Sequence, residues 1–365
     1  MADIRCMTCG NPYPETNIIH ICEKCRGIFD FDSEPFFEDS RVDLKLPGIW
    51  KYWHSFSLEP SSPVITLGEG DTPLVWENSA KMEVGFKLES LNPTGSYKDR
   101  GTAVLVSQMV FRGVKMSVED SSGNAGASFA AYCARAGIKA RVFVPESASG
   151  PKTRQIEEYG AELIRIPGPR SEAARAVLKS LEDGSVYGSH AYLPFGLTGI
   201  STIAYELFEQ TGGNVGTVIA PTGHGALLLG VIRGFKAMKN AGKCLRLPHF
   251  VGVQAENCSP MAMLFNKAIT DYADAPEGKT LAEGVRVSRP VRGNAIIKEL
   301  EESDGEIIAI REEEITPALV ELAEMGIYSE PTSALVWSAY KHLEQKLPRP
   351  IILIISGNGL KYYPT

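Results

Sequence analysis

The feature that most limits the fold of this chain is an alternation that begins near residue 64. Short β-branched or apolar runs give way to longer helical stretches, repeatedly, through the rest of the sequence. "VKMSVED" (114–120) reads as a strand, and "AGASFAAYCARAG" (125–137) as an Ala-rich helix closed by a glycine. "KARVFVP" (139–145) is the next strand, and "KTRQIEEYG" followed by "AELIRIP" repeats helix and strand. "VGTVIAP" (215–221), "LPHFVGVQAE" (247–256) and "RPIILIISG" (349–357) are further buried strands. Strands this apolar, separated by helices, predict parallel sheets with helices on both faces. Ligands of such sheets bind where strands end and helices begin.

Three such junctions carry chemistry. In "DSSGNAGAS" (120–128), Ser121, Ser122, Gly123 and Asn124 lie between a strand and a helix start. Free amides and hydroxyls there can hold a carboxylate. In "APTGHGALLLG" (220–230), Gly223, Gly225 and Ala226 let the backbone approach a phosphate, whose charge the helix dipole favours. In "IISGNGLK" (354–361), a strand end offers Ser356 and Asn358. Each turn alone is commonplace. Three in one chain, with "NPTGSYKDRG" opening another helix, point to one ligand-binding enzyme.

Composition narrows the setting. The chain has 365 residues, 44% hydrophobic and 22% charged, which suits a globular protein of about two to three domains. Its net charge of −7 and scattered basic residues give no basic face, so no nucleic-acid partner is expected. No apolar run approaches the roughly 20 residues of a membrane span, and "MADIRCMTCG" lacks a signal peptide's apolar stretch. A cytoplasmic protein with no membrane partner is the expectation.

Four of the seven cysteines fall in the first 25 residues. Cys6-x-x-Cys9 and Cys22-x-x-Cys25 can place four thiolates around one tetrahedral ion. Gly10 and Gly27 leave room for amides to turn toward the sulfurs. Disulfides are disfavoured in a reducing compartment. Structural Zn2+ is the expected occupant, with iron in a rubredoxin-like site the competitor and His20 a substitute ligand. Cys133, in an apolar helical stretch, reads as a small core residue.

Together, "LGEGDTPL" (67–74), "NPTGSYKDRG" (92–101), "SSGNAGAS" (121–128), the 223–227 turn and "SGNGLK" (356–361) resemble the fold type II family of pyridoxal-phosphate (PLP) enzymes, in its threonine synthase-like branch. They occur in the family's order over residues 60 to 365. The resemblance implies an α/β fold of two open, mainly parallel αβα lobes behind a short zinc-ribbon-like extension. The expected boundaries are 1–35 for the extension, 36–94 with 200–365 for the large PLP-binding domain, and 95–199 for the small domain. It implies pyridoxal 5'-phosphate as cofactor and Lys98 as the lysine that carries it. A lysine is nucleophilic only as the free amine, which burial and nearby cationic charge promote. Asn124 matches the residue that donates to the pyridine 3'-oxygen. Thr222, Gly223, His224, Gly225, Ala226 and Leu227 match the phosphate-binding turn, and Ser356 the hydroxyl at the pyridine nitrogen. A serine there leaves the ring a weaker electron sink. That favours chemistry in which a leaving group departs quickly.

The implied reaction acts on an amino acid whose carboxylate is held by Ser121, Ser122, Gly123 and Asn124. Lys98, once freed, removes the α-proton, and the side chain then loses or exchanges a group, as in a carbon–oxygen lyase. The resemblance departs at "SHAYLPFGLTGIST" (189–202), where threonine synthases grip a substrate phosphate with asparagines and an arginine. Here His190 and Leu193 stand at the asparagine positions, Ala191 at the serine and Gly196 at the arginine. His190, Tyr192 and His224 are expected to line a site for a smaller or less charged substrate, or to act as a second acid–base group near pH 7. Arg286, Arg289 and Arg292 are candidate partners for a substrate phosphate but are expected in a solvated loop; Glu283 and Glu330 follow strand ends, either facing the cofactor or serving as structural acids. Threonine synthase itself is the rival reading, and a silent PLP-binding regulatory protein a further one. A homodimer is expected, as two-fold dimers are the commonest oligomers.

Overall fold

The computed structural model describes residues 3–78 and 80–362. Its strands are β1 (Ile4–Cys6), β2 (Phe29–Phe31), β3 (Leu74–Trp76), β4 (Val84–Lys87), β5 (Met116–Glu119), β6 (Lys139–Pro145), β7 (Glu162–Ile166), β8 (Val186–Tyr187), β9 (Thr217–Pro221), β10 (His249–Ala255), β11 (Glu306–Ile310) and β12 (Ile351–Ile354). Its α-helices are α1 (Lys98–Phe111), α2 (Asn124–Ala136), α3 (Pro151–Glu158), α4 (Arg170–Lys179), α5 (Gly196–Thr211), α6 (Ala226–Asn240), α7 (Pro260–Phe265), α8 (Gly293–Glu302), α9 (Ile315–Glu324) and α10 (Pro331–Leu343). No helix among the described residues is long and apolar enough to cross a membrane.

The chain divides into two compact units, Met1–Gly70 with Asn92–Ile200, and Asp71–Leu91 with Ser201–Thr365. Residues 36–70 thus group with the smaller sheet rather than with the larger one. The Tyr132 hydroxyl of α2 donates to Glu69 at 2.6 Å and the Ile65 amide donates to Ser107 of α1 at 3.0 Å, which ties this stretch to the first unit.

In the first unit, β7, β6, β5 and β8 form a four-stranded, all-parallel sheet in that order. Val118, Phe143, Ala173, Val177 and Tyr187 make a core on one of its faces. α2 ends, as its sequence predicts, at Gly137, whose φ of +69° suits a residue without a Cβ. α1 and α5 approach closely enough that a Cβ on Gly199 would lie 2.1 Å from the Arg100 carbonyl oxygen. β1 and β2 form a separate antiparallel pair that carries the cysteine cluster.

In the second unit six strands run in the order β11-β10-β9-β12-β4-β3, parallel except for β3 at the edge. Every residue of β4, β9 and β12 is buried, as strands covered on both faces require. The cost of this burial is met at one polar point. Lys87, fully buried at the end of β4, donates to Glu206 at 2.6 Å, to the Thr72 carbonyl at 2.7 Å and to Gln210 at 3.0 Å. Removing one partner of a buried ion pair strands the other, at about 3–5 kcal/mol. Lys87→Met should therefore lower the unfolding free energy by about that amount, and Lys87→Met with Glu206→Leu should recover much of the loss. Denaturant unfolding of both variants checks this. Equal losses in the single and double variants would contradict it.

Candidate active site

In the first unit Lys98 opens α1 from a turn that its neighbours hold rigidly. Asp99, fully buried, accepts from the Thr94 amide at 2.7 Å and the Thr94 hydroxyl at 2.6 Å. Asn92 accepts from the Gly70 amide at 3.0 Å, and Gln155 donates to the Thr94 carbonyl. Asp99 thus has a structural role, holding the turn through Thr94. Lys98 itself is half-buried, with Nζ 4.7 Å from the centre of the Tyr97 ring. Its carbonyl accepts from Thr102, whose hydroxyl accepts from Ser128 of α2. These bonds link α1 to the helix that follows the 121–124 turn.

That turn leaves β5 at Glu119 and enters α2 at Asn124. A Cβ on Gly126 would sit 1.9 Å from the Ser121 carbonyl oxygen, so the turn folds back tightly on the first turn of the helix. Gly123 occupies the N-cap, and no side chain therefore caps the start of α2. Ser121 is buried, and Ser122, Gly123 and Asn124 are half-buried.

His190 follows β8, the strand beside β5, and its Nδ1 lies 3.3 Å from Glu119 Oε1. Glu119 is only 1% exposed, and its Oε2 has no hydrogen-bond partner. Burial, then the neighbouring Asp120 charge, push its carboxyl well above the usual range, against the pull of Lys98 and Arg170. Asp120 accepts from the Tyr187 hydroxyl at 2.7 Å, and Tyr192 stacks beside Tyr187. Glu119 escapes a reading of the sequence because a charged strand end usually faces water. The Glu-Asp pair before a small-residue turn is the only signal of it.

In the second unit β9 ends at Pro221, and Thr222, Gly223, His224 and Gly225 turn the chain into α6. A Cβ on Gly223 would meet the Gly284 carbonyl oxygen at 2.6 Å, and one on Gly225 the Ile296 Cδ1 at 1.6 Å. Gly225 also has a φ of +92°. Only glycines fit, and their absent side chains leave a cradle of backbone amides at a helix start. Thr222 is pinned by its amide to Val253 and by its hydroxyl to Ala220. Ala226 and Leu227 turn their side chains into the core, so only their amides can serve a ligand. Ser356 lies two residues beyond β12, 2% exposed, with its Oγ 3.1 Å from the Oγ of Ser333 near the start of α10. Ser333 in turn accepts from the Gly357 amide at 3.0 Å.

The expectation that Arg286, Arg289 and Arg292 share a solvated loop is corrected. Arg289 is exposed, Arg286 half-buried and Arg292 only 1% exposed, because the segment closes over the glycine turn. Glu330, 1% exposed, caps the start of α10, while Glu283 is exposed.

The sulfurs of Cys6, Cys9, Cys22 and Cys25 all lie within 4.8 Å of one another, as around a single ion. Burial raises the Cys6 thiol, but the amides of Cys9 and Thr8 outweigh it and bring the thiol down to about 7. A Cβ on Gly27 would meet the Cys6 sulfur at 2.9 Å. His20 lies outside the cluster, its ring stacked edge-on to Tyr187 and Tyr192.

Comparison with known proteins gives one family. The model for "Pyridoxal-phosphate dependent enzyme" matches residues 65–357. Threonine synthase of Methanocaldococcus jannaschii is 33% identical, with 98% of this chain and 92% of that protein covered. Threonine synthase of Methanosarcina acetivorans is 30% identical over 92% of this chain and 85% of its own length. Among solved structures, the processed form of threonine deaminase isoform 2 from Solanum lycopersicum shares the fold. Its TM-score is 0.70 at 19% identity, with 95% of each chain covered. Maize serine racemase follows with a TM-score of 0.67 at 21% identity, covering 79% of this chain and 88% of its own.

The raised carboxyl of Glu119 has a measurable consequence. A carboxyl raised by the fold adds stability that is full below its unfolded value, about 4.3. That stability is lost as pH rises through the raised value. Glu119→Gln should therefore gain on the wild type as pH rises from about 5 to 8, by at most about 1.4 kcal/mol per pH unit. Denaturant midpoints across that range check it, and parallel stability curves would contradict it.

Proposed function

The chain belongs to the pyridoxal-phosphate dependent enzymes, in a threonine synthase-like branch, and from that premise we propose which of its residues do the work. Lys98 holds the cofactor and, once displaced by an amino-acid substrate, removes the α-proton at its Nζ. The observation that carries this reading is the rigid turn around Lys98. Asp99, Asn92 and Gln155 fix its backbone while its Nζ stands against the Tyr97 ring with no hydrogen bond among the described residues. A lysine so placed is positioned but uncommitted, as a nucleophile and base must be.

The residues present fit the cofactor. The Gly223–Gly225 cradle, where any Cβ would collide, gives the amides of 223–227 to the phosphate. Asn124 would donate to the ring oxygen, and Ser356, braced by Ser333, would stand at the ring nitrogen. When bound, the cofactor supplies the electron sink for the Cα–H bond pair. Ser121, Ser122 and the amides at the start of α2 bind and orient the substrate carboxylate. That alignment lets Nζ of Lys98 reach one face of Cα. A side-chain leaving group is then lost or replaced, which is carbon–oxygen lyase chemistry.

A second reading has its own support. The relatives from Methanocaldococcus jannaschii and Methanosarcina acetivorans are named threonine synthase, and the similarity spans nearly the whole chain. Conversion of O-phosphohomoserine to threonine and phosphate is therefore the named rival. The absence of lysine and arginine from 189–202 weighs against it. The cysteine cluster holds structural Zn2+, for which four thiolates without an open position are suited. We also expect a homodimer working in a reducing, cytoplasmic setting.

Two experiments test this. Lys98→Ala should abolish the visible absorbance of the lysine-bound cofactor and any turnover; a retained band would overturn the assignment. Titrating the loaded enzyme with serine, threonine, cysteine, O-acetylserine, O-phosphoserine, homoserine and O-phosphohomoserine should change the spectrum with a three-carbon or β-hydroxy substrate. A response to O-phosphohomoserine alone would establish the rival. Metal analysis should find about one zinc per chain, and Cys22→Ser should lose it. Iron, or retention of zinc by that variant, would contradict the cluster's assignment.

A further inference from the structure

One group in the first unit has no part in the reaction as described so far. Glu119 is 1% exposed, its Oε2 has no hydrogen-bond partner, and its Oε1 meets Nδ1 of His190 at 3.3 Å. The charged and titratable groups around it come from every neighbouring element. They are Lys98 on α1, Cys133 on α2, Tyr187 on β8, Asp120 beside it and Arg170 on α4. Burial and the Asp120 charge favour its protonated form, against the pull of Lys98 and Arg170. As an acid it donates to Nδ1 and leaves the imidazole hydrogen on Nε2. His190 is itself 20% exposed at the side chain, so the pair runs from the interior to an accessible edge.

The leaving group decides whether such a pair is needed. A phosphate departs as a stable anion, whereas a hydroxyl must be protonated as its bond to carbon breaks. The 189–202 segment has no lysine or arginine to grip a phosphate and has His190 instead. We propose that His190, backed by Glu119, delivers the proton to the departing side-chain oxygen, so that this site takes amino acids bearing a free hydroxyl on Cβ.

The step balances. The pair of the Cα–H bond becomes the second bond between Cα and Cβ, and Lys98 keeps the proton. The Cβ–O bond breaks with its pair going to oxygen. His190 gives its Nε2 proton to that oxygen, forming water, and Glu119 passes its own proton to Nδ1. Glu119 ends as a carboxylate just as Lys98 becomes an ammonium, and the electrostatic pull between them favours both transfers. The start is restored when Nδ1 of His190 returns its proton to Glu119 and the proton held by Lys98 passes through solvent to Nε2 of His190. His190 is the catalytic residue here, and Glu119 positions and recharges it.

This inference rests on Lys98 removing the α-proton, so the test separates the two. Exchange of the α-hydrogen of serine and threonine in D2O, followed by NMR, reports the Lys98 step. Release of keto acid from serine, compared with β-chloroalanine, whose chloride needs no proton, reports the leaving-group step. His190→Gln should lower turnover of serine about a hundredfold more than turnover of β-chloroalanine, while exchange persists. Glu119→Gln can hold the imidazole but cannot hand over a proton. It should lower kcat for serine with little change in KM, and should erase the fall in kcat toward high pH that the proposal expects of the wild type. Equal loss on both substrates in His190→Gln would overturn the proposal. So would a wild type that exchanges the α-hydrogen of serine without releasing water. A wild type that exchanges the α-hydrogen of no amino acid would overturn the function itself, and this proposal with it.

Discussion

A parallel strand buried on both faces can place a polar group only at its ends, and that constraint governs this molecule. Every residue of β12 is buried, and the first hydroxyl beyond it is Ser356. β9 is buried throughout, and the glycine turn begins directly after it. β5 gives way to the 121–124 turn in the same manner. After β5 and β9 a helix starts within a few residues, α2 and α6, and neither carries a side-chain cap. Apolar runs thus decide where the chemistry can be, and the short polar turns between them decide what it is.

The buried carboxylates show how the scaffold separates support from reaction. Glu69 accepts from Trp50 Nε1, from the Thr66 hydroxyl, from the Leu67 amide and from the Tyr132 hydroxyl. Asp99 is satisfied by both donors of Thr94, and Glu206 by Lys87 and the Asp71 amide. A buried acid with a full set of donors is stable and inert. Glu119 differs, with one oxygen unmet and the other on an imidazole. That incomplete bonding, together with the imidazole on its other oxygen, suits Glu119 to move a proton.

The cysteine cluster, the Lys98 turn, the 121–124 turn and the glycine turn are legible in the sequence because turn chemistry is local. Gly225 must be glycine both for its φ and for its contact with Ile296, and a strand–glycine–helix pattern signals that without a structure. What sequence misses depends on distant packing. Glu119 reads as a solvated strand end until α1, α2 and the residues after β8 cover it. Arg292 reads as a loop cation until the 284–296 segment folds against the glycine turn. The grouping of residues 36–70 with the smaller sheet goes with the bonds from Tyr132 to Glu69 and from Ile65 to Ser107, which join residues distant in sequence.

The central claim is that Lys98 holds the cofactor. Borohydride reduction of the purified, cofactor-loaded protein fixes the cofactor covalently to whichever lysine carries it, and digestion followed by mass spectrometry locates the label. The account predicts a single labelled peptide spanning Lys98. A label on any other lysine, or none on a protein that carries the cofactor, would contradict it.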